Sequence, residues 1–124
     1  MNIIISNSSN KPIYEQIKEQ IKEKILSNEL KVGELLPSIR NLAKDLRISV
    51  ITVKNAYEKL ENEGYVETMP GKGVYIANKN KEIIKEEQLK KIENLLESAI
   101  SIAKISGISK KEIKTIMDIL YGEV

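Results

Sequence analysis

The sequence predicts a mainly α fold with one small β-hairpin, completed by a C-terminal helical hairpin. Three observations predict it. Apolar residues recur at helical spacing in three successive stretches between residues 12 and 64. The period then shortens to strand-like alternation on either side of a Pro-Gly-Lys-Gly turn at residues 70–73. Helical spacing resumes, as a heptad-like row, beyond a polar linker at residues 78–81.

Each element has its own local cause. Pro12 suits the first turn of a helix, where the missing N–H costs nothing, and Asn10 is a candidate cap. Ile13, Ile17, Ile21 and Ile25 then repeat every fourth residue, an apolar stripe on a charged helix that is expected to end near Asn28. A loop containing Gly33 and Pro37 follows. Ser38 can cap a short second helix with Ile39, Leu42, Ala43 and Leu46 on its buried face. Arg47 and Ile48 make a tight connection to a third helix. Ser49 can cap it, and Val53, Ala56, Tyr57 and Leu60 turn inward before Gly64 stops it. Residues 65–69 and 74–77 read as the two strands of the hairpin. A turn of about three residues between the second and third helices is the helix-turn-helix spacing. With the basic, Gly-rich hairpin behind it, residues 1–78 read as a winged helix-turn-helix domain.

Residues 79–124 read as a helical dimerisation tail. Leu89, Ile92, Leu96, Ala99 and Ala103 alternate steps of three and four, and Leu95 and Ile102 broaden that face. Gly107 ends this helix. Ser109 and Glu112 form a capping box for the next, whose apolar residues are Ile113, Ile116, Met117 and Leu120. A hairpin of about 40 residues cannot close a core alone. Two arrangements satisfy it: packing within the chain, or pairing with a second copy through Leu89, Ile92, Leu96, Ala99, Ala103, Ile113, Met117 and Leu120.

Composition narrows the function. The chain has 124 residues, 41% hydrophobic and 31% charged, as in a folded globular protein. It has no cysteine and no histidine, which removes thiol and imidazole chemistry, disulfides and most zinc sites. No calcium-type Asp/Asn/Gly loop occurs, so neither a metal nor a cofactor is expected, and an enzyme is a poor fit. The longest isoleucine run, Ile3, Ile4 and Ile5, is too short for a leader or a membrane span, so a cytoplasmic protein with no membrane partner is expected. Net charge is only +2, but the distribution is uneven. Arg40, Lys44, Arg47 and Lys54 face Asp45 alone between residues 38 and 55, and both arginines of the chain lie there. Arginine is the side chain suited to bidentate contacts with phosphate or guanine.

The pieces PIYEQIKEQI, GELLPSIRNLAKDL, ISVITVKNAYEKLENEGYVE and GKGVYIA, in this order and spacing, resemble the winged-helix domain of the GntR family of bacterial transcription regulators. The short two-helix tail is similar to that of the family's YtrA subfamily, where it serves dimerisation. The resemblance implies a regulator, by default a repressor, that binds double-stranded DNA with an inverted-repeat operator as a homodimer. It implies DNA contacts from Ser38 and Arg40 at the second helix, from Ser49, Thr52 and Lys54 on the recognition helix, and from Gly71 and Lys72 at the wing tip. Family members often carry an arginine after the recognition-helix serine, whereas Val50 and Ile51 stand here, a pair found in the YtrA-like branch. Two β-branched side chains at a helix tip can meet thymine methyl groups but cannot hydrogen-bond guanine. Ile51 could equally turn inward onto Leu46, and Ser38 and Ser49 are good caps whatever else they touch. Many relatives respond to small metabolites; no effector is legible here. The rival reading is a winged-helix interaction adaptor with a coiled-coil tail, which would bind DNA weakly and without sequence preference. An RNA-binding role fits poorly, since the chain has no Phe or Trp and its five tyrosines show no stacking pattern.

Overall fold

The computed structural model describes residues 1–123. They divide into two compact units, the first Met1–Lys79 and the second beginning at Asn80. The first unit contains α1 (Ile13–Leu26), α2 (Ile39–Leu46), α3 (Val50–Asn62), β1 (Val66–Met69) and β2 (Gly73–Ile76). It is a winged helix: three helices followed by an antiparallel hairpin in which Val66 pairs with Ile76 and Met69 with Gly73.

The core is built where the sequence stripes meet. Ile17 and Ile21 of α1 pack with Val53, Ala56 and Leu60 of α3, and all five are fully buried. Leu42 and Ala43 bring α2 onto α3, while Tyr65, Val66 and Ile76 seat the hairpin beneath them. Each large aliphatic removed from water contributes about 1.5–3 kcal/mol.

Three local features differ from the sequence reading. Asn10 does not cap α1, whose N-cap is Pro12 with no side-chain bond. Gln16 and Gln20 instead reach back from the helix to residues ahead of it. The Gln16 amide accepts from Ser6 N at 2.8 Å and donates to Ser6 O at 3.0 Å. One turn later the Gln20 amide accepts from Ile4 N at 2.9 Å and donates to Ile4 O at 2.6 Å. Side chains four apart lie on one helix face, so an extended arm is strapped along α1 with Ile3 buried beneath it. Second, the loop expected before α2 holds a strand-like segment. Gly33 N donates to Ile76 O and Ile76 N to Glu34 O, both at 2.9 Å, and Leu36 N donates to Val74 O at 2.8 Å. This places β2 between β1 and residues 33–36. Third, Lys81 is helical rather than linker, because Asn80 caps the helix it begins.

An ion cluster locks the C-terminal end of α3 to α1. Lys22, only 8% exposed, places Nζ 2.8 Å from one Glu63 carboxylate oxygen, and Lys18 Nζ lies 3.2 Å from the other. Burial alone would raise the Glu63 pKa, but the hydrogen bonds and charges of Lys22 and Lys18 outweigh it and hold the carboxyl below its ordinary range. Lys79 Nζ donates to Glu63 O at 2.7 Å and lies over the Tyr65 ring, 4.1 Å from its centre.

The second unit comprises α4 (Lys81–Ser106) and α5 (Lys110–Tyr121). Gly107 takes the left-handed conformation that ends α4, at φ 70°. Ser109 Oγ accepts from Glu112 N at 3.2 Å, the backbone half of the expected box. Ala103 is buried, at 5% exposure, and is the one buried residue of these two helices among those described. Leu89, Ile92, Leu96, Ile100, Ile116, Met117 and Leu120 are exposed. Among the described residues no helix is long and apolar enough to cross a membrane.

Candidate nucleic-acid interface

Two capped helix starts organise the site. Ser38, extended at φ −61° and ψ 153°, accepts from Asn41 N at 3.1 Å and opens α2. Ser49 accepts from Ile51 N at 3.1 Å and opens α3. A capping hydroxyl uses an oxygen lone pair and keeps its proton to donate. Both serines can therefore cap and still meet a phosphate oxygen at the positive end of their helix. Between the helices Arg47 closes α2 in the left-handed conformation at φ 55°, and Ile48 N donates to Ala43 O at 3.0 Å. A non-glycine residue in this conformation costs on the order of 1 kcal/mol, and the resulting turn is short enough for helix-turn-helix geometry.

Arg40 is exposed in the first turn of α2. Val50 and Ile51, at 49% and 68% exposure, form an apolar tip on α3. Ile51 thus faces solvent and does not turn in against Leu46. Thr52 is half-buried, with its backbone N–H bonded to Ser49 O at 3.1 Å. Lys54 is exposed, and its Nζ lies 3.9 Å from Glu58, a loose surface pairing of small energetic weight. The hairpin tip carries Gly71 and Lys72, both exposed. Gly71 has φ 75° and Lys72 N donates to Met69 O at 2.9 Å, so the turn needs glycine for its backbone and lifts Lys72 outward.

Two residues of this region carry more than the sequence discloses. Asn55 is exposed one turn after Ile51 on the same side of α3, with an amide able to pair with adenine; its polarity in a lysine- and asparagine-rich chain gives no distinguishing signal. Tyr57 has the spacing of a core residue, and its ring is core. Its hydroxyl, however, donates to Pro37 O at 2.7 Å, a partner 20 residues away that spacing does not reveal.

The sequence pattern described as "Bacterial regulatory proteins, gntR family" matches residues 13–76, spanning α1 through β2. The chain belongs to the gntR family. GntR proteins are DNA-binding transcription regulators, not enzymes. The chain is 38% identical over 111 residues to the HTH-type transcriptional repressor YtrA of Bacillus subtilis, covering 90% of this chain and 85% of that protein. It is also similar to a GntR family transcriptional regulator from Listeria monocytogenes, with TM-score 0.74 and 31% identity over 92% of this chain and 97% of that one. YtrA from Sulfolobus acidocaldarius, a GntR-family transcription factor, matches with TM-score 0.61 and 34% identity, covering 73% of this chain and 95% of that one.

Proposed function

We propose that this GntR regulator is a cytoplasmic repressor that binds an inverted-repeat operator as a homodimer. The observation that carries the reading is the tip of α3, where Val50 and Ile51 stand exposed beyond the Ser49 cap and beside Lys54. This is a recognition surface with apolar contacts for thymine methyls and a cation for the flanking phosphate. Ser38 and Arg40 bring α2 to the backbone or a base edge, and Thr52 adds a hydroxyl. Gly71 lets the wing approach closely while Lys72 enters the minor groove. The tail pairs two copies about a two-fold axis, which sets two recognition helices against the two halves of a palindrome. The unmatched apolar residues of α4 and α5 support this pairing. Ala103 is already covered within the chain, so the contact surface is drawn without it, with Ile100 joining Leu89, Ile92 and Leu96 along α4. Repression follows from occupancy of a promoter, and the similarity to the B. subtilis repressor supports that sign.

The test is selection of binding sites from genomic DNA at two salt concentrations. An inverted repeat with thymines in both half-sites is expected, with affinity falling steeply in salt through counterion release. Arg40→Ala should weaken binding by about 5- to 150-fold, the range for removing one bidentate pair. Val50→Arg should move the preferred base at its position toward guanine; an unchanged consensus would exclude thymine readout by this side chain.

A further inference from the structure

Tyr57 lies in the middle of α3, only 3% exposed among the other inward-facing residues. Phenylalanine would fill that space without a polar atom to satisfy. The hydroxyl is satisfied by one bond, its donation to Pro37 O at 2.7 Å. Burial pushes the phenol well above its ordinary pKa, so it stays a donor across the physiological range. Pro37 immediately precedes Ser38, the cap of α2, and Arg40 follows in the first turn. On its other side the same segment is held to the wing, Leu36 N donating to Val74 O at 2.8 Å and Ile76 N to Glu34 O at 2.9 Å. Residues 33–37 therefore join the three DNA-facing elements: the wing strand β2, the start of α2, and, through Tyr57, the recognition helix.

We propose that Tyr57 is a positioning residue for DNA recognition, its hydroxyl holding the start of α2, with Ser38 and Arg40, in register with the α3 tip. This rests on the reading that the α2 N-terminus meets DNA. Hydrogen bonds tolerate only a few tenths of an ångström before they weaken. Without this one, Pro37 and the cap that follows can shift relative to α3 while the ring keeps its packing.

The experiment is a double-mutant cycle of Tyr57→Phe and Arg40→Ala in the full chain. Binding is measured at 25 °C to a duplex of about three helical turns carrying the genomically selected site, with circular dichroism establishing that each variant is folded. Tyr57→Phe should raise Kd by about five- to tenfold and make the slope of log K against log salt shallower by roughly 0.9 for each phosphate no longer neutralised. On the Arg40→Ala background most of its effect should vanish. A lower melting temperature with unchanged Kd and salt slope would make Tyr57 structural and overturn the proposal, as would effects that simply add. Should Arg40→Ala itself leave affinity and slope untouched, the interface reading fails and the proposal with it.

Discussion

Leu96→Glu combined with Ile100→Glu is expected to convert the proposed dimer to monomers and to lower affinity for the proposed full palindromic operator by at least about a hundredfold. Both residues are exposed on one side of α4, lining a shallow apolar groove with Leu89 and Ile92. In a two-fold interface every substitution is felt twice. Four carboxylates would then enter a surface that depends on apolar burial, and an unpaired buried charge costs several kcal/mol. The fall in affinity follows from geometry, since every side chain of the proposed DNA interface is retained. Once one half of a dimer is bound, the second recognition helix meets its half-site at millimolar effective concentration, and separate monomers forfeit that advantage. Binding to an isolated half-site should change less than about twofold, because no residue of the first unit is altered. Light scattering would give the mass, and titration against full and half operators the two affinities. A variant that stayed dimeric would move the interface to another face of the tail.

That prediction also shows what spacing leaves open. Leu89, Ile92, Leu96, Ala99 and Ala103 form a correct helical row, yet one member is covered within the chain and the others are exposed. Periodicity says that a face is apolar but not what lies against it. The winged helix was legible almost throughout, because caps, glycines and stripes agree locally. Ser38, Ser49, Ser109 and Gly107 each end or begin a helix as their chemistry requires. What sequence did not disclose were contacts between distant backbone and side-chain atoms. Residues 33–36 pair with β2 through main-chain groups that any residue possesses, and Pro37 beside them disguises the strand. Gln16 and Gln20 read as ordinary helix-surface residues, although their amides strap down the arm. At the candidate interface, charge singled out Arg40 and Lys54 within one basic stretch, whereas Ser38 came in only through the family resemblance. Whether Ile51 turned in or out depended on the path of the Arg47 turn, which only the fold supplies.

Leu60→Ala is expected to destabilise the first unit by about 2–5 kcal/mol, the range for a buried leucine truncated in a core that cannot fully collapse. Leu60 is fully buried in α3, the helix against which α1, α2 and β1 all pack. The cavity would therefore open in the helix that carries most of the unit's packing. For a unit of this size the loss corresponds to a fall in melting temperature of about 8–40 °C, measurable by calorimetry or circular dichroism. Its effect on DNA binding should differ in kind from that of Arg40→Ala. Leu60 touches no DNA in the proposed interface, so the molecules that remain folded should keep the wild-type salt slope and base preference, and only the active fraction should fall. Arg40→Ala should do the reverse, leaving melting within about a degree or two because an exposed side chain carries little stability, while weakening binding and flattening the salt dependence. A Leu60→Ala protein that was fully folded but had altered base preference would mean that core packing tunes the recognition helix directly. The scaffold and the contact surface would then not be separable in this domain.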